Sequence, residues 1–315
     1  MSDTTSPIQV FDASQVHAAL PWSALVRQLA DAFAQGAHVP VRHAHALGGP
    51  DALLLMPAWS DTALGVKLVT VMPGNAARAL ATVQASYLLF ERSSGRMLAM
   101  LDGEALTLRR TAAASALAAG LLARSDANRL LIVGTGQLAE WMARAHHALR
   151  PALTKIAIWG RNPQSSATLA RKLADAGLPA HACDDLPRAV QEADIVCCAT
   201  TSTTPIVQGA WLQPGTHLDL VGAFKPDMRE TDDAAVTRAR VFVDTFAGAL
   251  TEAGDLVQPM QRGVIAQEHV LGELAQLVRG EVAGRMSDQD ITLFKSVGTA
   301  LEDLAAAQMV LASRR

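Results

Sequence analysis

The chain has 315 residues, half of them hydrophobic, with a formal net charge of -3 and a pI near 6.3. That is long enough for one large or two modest domains. A charge balance this close to neutral gives no basis for nucleic acid or an anionic membrane as partner. No apolar run approaches the roughly 18 residues of a membrane span. Residues 1–10 lack a basic stretch followed by an apolar one, so no signal peptide is expected and the expected compartment is the cytoplasm. Three cysteines, Cys183, Cys197 and Cys198, make no disulfide framework; the adjacent pair lies in an apolar run and reads as core packing.

From the amino end, residues 12–35 open with a helix start signal and hold one or two helices. Runs at 52–59, 64–72 and 83–90, the last turning at Ser94-Gly95 into 97–101, have strand character. Their close spacing makes antiparallel pairing the expectation. Residues 111–123, TAAASALAAGLLA, form a helix of small side chains that can pack closely on a neighbour. From Arg129 strand and helix alternate: strand 130–133, helix 137–149, strand 156–159, helix 165–176, then short apolar strands at 195–200, 217–221 and 241–244. Such alternation gives an α/β domain with a parallel sheet covered by helices. A last helix is expected over 287–312, with Ile291, Phe294, Val297, Leu301 and Leu304 as a core stripe. The division between the two halves falls between Leu106 and Arg129.

Gly134-x-Gly136-x-x-Ala139 follows an apolar strand directly and opens a helix. The first glycine permits a tight turn, the second lets a pyrophosphate approach the backbone, and the small third residue packs helix on strand. The helix N-terminus adds N–H groups and positive potential for phosphates. The same loop, read alone, also fits a structural turn. At the end of the next strand, NAD sites place Asp or Glu for the ribose 2′-hydroxyl. Here Trp159-Gly160-Arg161-Asn162 has no carboxylate, and Arg161 can pair with a 2′-phosphate. NADPH is therefore the expected cofactor, with NADH the alternative and an exposed loop arginine the bland reading.

Lys67 lies in Gly65-Val66-Lys67-Leu68-Val69-Thr70-Val71, on one strand face with Val69 and Val71. A lysine in a strand apolar on both faces is costly unless an anion pairs with it; snorkelling at a sheet edge is the other reading. Arg110 stands at the hand-over from strands to the small-residue helix, and Arg42 upstream of the 53–57 run. Taken singly, an arginine so placed is more often a surface residue than a ligand. The nine histidines show no metal-ligand spacing, so no metal is expected and surface or capping roles are assigned to them. Neither a Gly-x-Ser-x-Gly elbow nor a cysteine–histidine signature is present.

These segments together resemble the ornithine cyclodeaminase/mu-crystallin superfamily. The resemblance runs from about Arg42 to Ala306. It rests on Leu54-Leu55-Met56-Pro57-Ala58-Trp59, Gly65-Val66-Lys67, Leu106-Thr107-Leu108-Arg109-Arg110-Thr111-Ala112-Ala113 and Gly134-Thr135-Gly136-Gln137. It continues in Ala199-Thr200-Thr201-Ser202-Thr203, Val221-Gly222-Ala223, Arg229-Glu230, Glu252-Ala253-Gly254-Asp255 and Thr292-Leu293-Phe294-Lys295-Ser296-Val297-Gly298. It implies a Rossmann-type dinucleotide-binding domain, 111–289, and an α+β dimerisation and substrate domain, 1–110 with 290–315. Strands of the latter would join a partner's in a closed barrel, giving a homodimer, for which an open sheet edge also speaks.

By the same resemblance Arg42, Lys67 and Arg110 would grip the carboxylate of a small imino or amino acid, with Lys67 also transferring a proton. Thr111 and the loop Gly134, Thr135, Gly136, Gln137 and Leu138 would hold phosphates, and Arg161 and Asn162 stand with them as cofactor-binding candidates. Ala199, Thr200, Thr201, Val221, Gly222, Ala223, Ser296 and Gly298 would line the adenosine and nicotinamide ends. Two positions depart from the cyclodeaminases proper. Leu55 replaces a Glu before the Met-Pro pair, and Phe224 replaces a catalytic Asp two residues before Pro226. Cyclodeamination needs carboxylates to manage protons, whereas apolar Leu55 and Phe224 suit a flat cyclic imine. The expected activity is NAD(P)H-dependent reduction of cyclic ketimines, Δ1-pyrroline-2-carboxylate to L-proline and Δ1-piperideine-2-carboxylate to L-pipecolate. The rival readings are ornithine cyclodeaminase, an alanine-dehydrogenase-like enzyme and a non-catalytic crystallin-like binding protein.

Overall fold

The computed structural model describes residues 7–78 and 80–314. The chain divides into two compact units, one of residues up to Arg110 together with those from Thr299, the other Thr111–Gly298.

The first unit begins with strand β1 (Gln9–Phe11) and helices α1 (Ala13–Ala19) and α2 (Trp22–Gln35). Asp12 starts α1 through a capping box with Gln15, and Gly36 ends α2 at φ 76°. Strands β2 (His43–Gly48), β3 (Asp51–Trp59), β4 (Ala63–Val71), β5 (Val83–Glu91) and β6 (Met97–Asp102) follow. The six-stranded sheet has the order β1-β6-β5-β4-β3-β2, antiparallel except for the parallel β1–β6 pair. Period-two alternation gives it one buried face, with Met56, Ala58, Lys67, Val69, Tyr87, Leu89 and Leu101. The other face carries the cross-strand row Val10, Met100, Leu88, Val66 and Pro57, half-buried or exposed throughout.

Helix α3 (Gly103–Leu122) starts eight residues before the expected helix, so Arg110 lies inside it rather than at a strand–helix junction. The second unit then alternates β7 (Arg129–Val133), α4 (Gln137–Leu149), β8 (Lys155–Trp159), α5 (Pro163–Asp175), β9 (Ala180–Ala182), α6 (Leu186–Glu192), β10 (Ile195–Cys198) and β11 (His217–Leu220). It continues through α7 (Asp233–Arg238), β12 (Arg240–Val243), α8 (Phe246–Glu252), α9 (Gly254–Gln261), β13 (Val270–Glu273), α10 (Leu274–Val278) and β14 (Thr292–Lys295). Eight strands pair in parallel in the order β13-β12-β14-β11-β10-β7-β8-β9. The chain order reverses between β7 and β10, and ligands of such sheets bind at the carboxyl ends of the strands at that switch point.

The carboxyl-terminal segment differs from the expected single helix over 287–312. Residues 292–295 are β14, fully buried between β11 and β12, and helix α11 (Ala300–Ala312) begins only after Gly298 turns at φ 82°. A four-residue apolar run bears no period that separates strand from helix. Residues 290–298 accordingly lie in the second unit, and the return to the first begins at Thr299. Among the described residues no helix is long and apolar enough to cross a membrane.

Candidate active site

In the second unit, β7 ends at Val133 and the chain turns through Gly134 into α4. Gly134 has φ 130°, a conformation that L side chains rarely adopt. A Cβ there would stand 2.6 Å from the Ala199 carbonyl oxygen. Gly136 is the N-cap of α4 and brings no side-chain cap; the place of its missing Cβ is open space. Within the first turn the Ala139 N–H bonds the Gly136 carbonyl at 3.1 Å, and no side chain of the N-cap competes with a ligand for the N–H groups before it. A cavity of about 320 Å³ lies against this loop, and Gly134, Thr135, Gly136, Arg161, Asn162, Ala199, Thr200 and Thr201 all line it. An open glycine cradle, an uncapped helix start and a cavity at the switch point fit the diphosphate of a dinucleotide. Arg161 is exposed at the end of β8, whereas the Asn162 side chain accepts N–H bonds from Gln164 and Ser165 as the cap of α5. Gln137 and Leu138 open α4.

Two buried carboxylates hold the remaining loops. Glu230, fully buried, takes the Thr200 N–H (2.7 Å) and hydroxyl (2.9 Å) on Oε1, and the Gly222 (2.8 Å) and Ala223 (3.2 Å) N–H groups on Oε2. One side chain therefore fixes the loops after β10 and β11 against each other. Behind it, Asp255 accepts the Glu230 N–H at 2.8 Å and pairs with Lys295 Nζ at 3.1 Å. Burial raises the Glu230 carboxyl above its ordinary value, with Lys295 pulling it down. Asp244 does the same service for the loop after β14, accepting the Ser296 hydroxyl (3.0 Å) and the Val297 (2.8 Å) and Gly298 (2.7 Å) N–H groups. Val221 follows β11 at the same ends of the strands, and Phe224 two residues beyond Gly222 is 37% exposed.

The first unit holds the cationic residues. Lys67 lies on β4 with only 3% of its surface exposed, and its partner is internal. Nζ stands 3.0 and 2.8 Å from the two carboxylate oxygens of Asp303 and 3.2 Å from Thr107 Oγ1. Arg110 joins the same carboxylate through Nε at 3.1 Å and reaches Glu302 through Nη1 at 2.6 Å. The anion that sequence reading left to a substrate is thus supplied in part by α11. Burial pulls the Lys67 ammonium down to about 8, against the attraction of Asp303. Burial alone would raise the Asp303 carboxyl, but Lys67 and Arg110 outweigh it and hold it below its ordinary range. Arg42 is half-buried just before β2, and Thr111 is buried in α3 at the start of the second unit. Leu55 is half-buried opposite Leu68.

The surface or capping role expected of the histidines fails for His146 and His217. His146 and His217 are buried; His146 Nε2 lies 3.3 Å from Asp219 Oδ2, whose other oxygen accepts the Ser115 hydroxyl at 3.1 Å. His217, 2.9 Å from the Thr292 hydroxyl, is pushed down to about 3 by burial. Cys197 and Cys198 are buried in β10, where burial pushes both thiols up. Asp244, Glu302 and Asp303 were missed by sequence reasoning. The signal for the last two was an adjacent pair of acids within an otherwise apolar helix, Ala300-Leu301-Glu302-Asp303-Leu304-Ala305.

A parallel Rossmann-type sheet with a glycine loop at its switch point, joined to a unit with a buried lysine–arginine–carboxylate cluster, defines a class of dinucleotide-binding protein. The chain belongs to the ornithine cyclodeaminase/mu-crystallin family, whose model matches residues 9–314. It is 44% identical over 266 residues to a Δ1-pyrroline-2-carboxylate reductase of Paracoccus denitrificans, covering 84% of each chain. The structure of Thermococcus litoralis Δ1-pyrroline-2-carboxylate reductase in complex with NADH and L-proline superposes with a TM-score of 0.92, at 32% identity and 97% coverage of both chains. An archaeal alanine dehydrogenase dimer with bound NAD matches with a TM-score of 0.91 at 26% identity, over 97% of this chain and 95% of that one.

Proposed function

We infer that the chain is an NAD(P)H-dependent reductase of cyclic ketimine carboxylates, converting Δ1-pyrroline-2-carboxylate to L-proline and Δ1-piperideine-2-carboxylate to L-pipecolate. The observation that carries this reading is a lysine buried beside an arginine, in a family member that has Leu55 and Phe224 where cyclodeaminases need carboxylates. Reduction of a C=N bond asks for less: a hydride at carbon, a proton at nitrogen and a grip on the carboxylate. The dinucleotide, when bound, supplies the hydride. Arg42 and Arg110 fix the substrate carboxylate, and Lys67 gives its proton to the imine nitrogen, so one ketimine, one NAD(P)H and one proton yield the amino acid and NAD(P)+.

Gly134, Thr135, Gly136, Gln137 and Leu138, with Thr111, hold the diphosphate, and the loops tied to Glu230 and Asp244 hold the nucleoside ends. The exposed Arg161, in a turn without a carboxylate, supports NADPH over NADH through its fit to a 2′-phosphate. In this reading the first unit binds substrate and the second binds cofactor. Its sheet also supports a homodimer: Val10, Met100, Leu88, Val66 and Pro57 form an apolar row across five strands, and edge strand β2 is exposed along its whole length.

The test follows NADPH oxidation optically with Δ1-pyrroline-2-carboxylate, for the wild type and Lys67→Met. The wild type consumes NADPH; the variant loses at least about a hundredfold in kcat, the ordinary scale for removing a proton donor, while NADPH binds unchanged. Equal turnover by both removes Lys67 from its role, and no turnover by a wild type that binds NADPH removes the activity.

A further inference from the structure

We propose that Asp303 is a positioning residue of the reduction, holding Lys67 and Arg110 in one geometry and setting the pH at which Lys67 surrenders its proton. This rests on the reading that Lys67 is the proton donor.

Helix α11 is apolar along almost its whole length, yet it buries Glu302 and Asp303 with no exposed surface. A carboxylate in such a place stays ionised only if cations meet it. Asp303 meets two. The Lys67 ammonium lies against both of its oxygens, at 3.0 and 2.8 Å, and Oδ1 also takes Arg110 Nε at 3.1 Å. A single carboxylate therefore fixes the separation of the two cations to which substrate must bind.

The hydrogen-bond directions around Lys67 are determined as well. The Thr107 hydroxyl donates to the Gly103 carbonyl at 2.7 Å, so it can only accept from Nζ. Asp303 Oδ1 and Thr107 Oγ1 take two of the three ammonium protons, and Asp303 Oδ2, 2.8 Å from Nζ, lies beside the third. An imine nitrogen takes a proton from Nζ in competition with Asp303.

Charge decides the protonation. The groups facing Lys67 are Asp303 and Glu302 from α11, Arg110 from α3 and Tyr87 directly opposite on β5. Tyr87 is fully buried and stays neutral, since burial and the nearby Asp303 both push its hydroxyl well up. Loss of the Lys67 proton removes one of the two cations that meet the Asp303 carboxylate, and this attraction resists the deprotonation that burial favours. When Asp303 loses its charge, that resistance disappears and Lys67 gives up its proton at lower pH.

The experiment is kcat/KM for the ketimine against pH, for the wild type, Asp303→Asn and Asp303→Glu, with NADPH binding measured alongside. The wild-type profile falls on the alkaline side near pH 8. In Asp303→Asn the fall moves to acid by about one pH unit or more, and NADPH affinity is unchanged. Asp303→Glu keeps the charge but displaces it, so its kcat drops while its alkaline fall stays close to the wild type's; it also carries the test if Asp303→Asn does not fold. An Asp303→Asn profile that coincides with the wild type's, or an Asp303→Glu fall displaced as far as that of Asp303→Asn, overturns the proposal and leaves the reductase intact. Absence of ketimine turnover in the wild type at every pH overturns both.

Discussion

Replacement of Glu230 by Gln tests whether one carboxylate holds the dinucleotide loops. The native side chain accepts four hydrogen bonds from three residues on two loops, all within 3.2 Å. Glutamine keeps the shape and one acceptor oxygen. Its amide nitrogen must then point at donors, whichever way it turns: toward the Gly222 and Ala223 N–H groups or toward Thr200. Turned toward Thr200 the amide orphans one donor, the N–H, because the hydroxyl can accept from it instead; turned the other way it orphans two, at about 1–3 kcal/mol each, so the variant should lose at least about 1 kcal/mol of stability. The position of the loops should be felt in binding too, with the NADPH dissociation constant rising at least about tenfold, or about 1.4 kcal/mol. Thermal unfolding without cofactor and calorimetric titration with NADPH measure the two effects. Glu192→Gln is the control, because Glu192 pairs only at the surface with Arg188 and Lys155 and should change neither. An unchanged melting temperature together with unchanged NADPH affinity in Glu230→Gln would show that Glu230 does not hold the loops.

Three further outcomes are expected. Gly134→Ala forces a side chain into φ 130° and to 2.6 Å from the Ala199 carbonyl; denaturant unfolding should show a loss of about 1–3 kcal/mol, with weaker NADPH binding. Arg161→Ala should lower the NADPH/NADH ratio of kcat/KM by about tenfold or more, read from initial rates with both cofactors; an unchanged ratio assigns the 2′-phosphate to another group. Leu88→Asp places a charge in the middle of the apolar row and should convert a dimer to a monomer in light scattering coupled to size exclusion, whereas a persistent dimer moves the interface elsewhere.

The sequence is most informative where the physics is local. The turn at Gly134 needs a residue without a Cβ, the helix from Gln137 has a clear apolar period, and strands such as β4 alternate over nine residues. Each of these can be read from a window of neighbours. The cluster around Lys67 cannot, because its anion lies 236 positions away on a helix whose Leu301 and Leu304 announce only core packing. Burial of Lys67 was legible from the apolar residues on both faces of its strand; the identity of its partner was not. For the same reason β14 was read as helix: four buried residues between parallel neighbours carry no period of their own. Strand β2 escaped notice because His43-Ala44-His45-Ala46-Leu47-Gly48 has neither β-branched residues nor a buried face, and only its pairing with β3 makes it a strand. The loop-holding roles of Asp244 and Glu230 became visible only when parallel pairing brought the ends of β10, β11, β12 and β14 together.

In the proposed reaction hydride passes from the dinucleotide to the imine carbon, and an amino acid is the product. NADPH carrying deuterium at the transferable C4 position, incubated with Δ1-pyrroline-2-carboxylate and the wild-type protein, tests it most directly by mass spectrometry and NMR of the product. The expected product is L-proline with one deuterium at C2 for each NADP+ formed. Proline without deuterium, or NADPH consumed only when ammonia and a 2-oxo acid replace the cyclic imine, would contradict it.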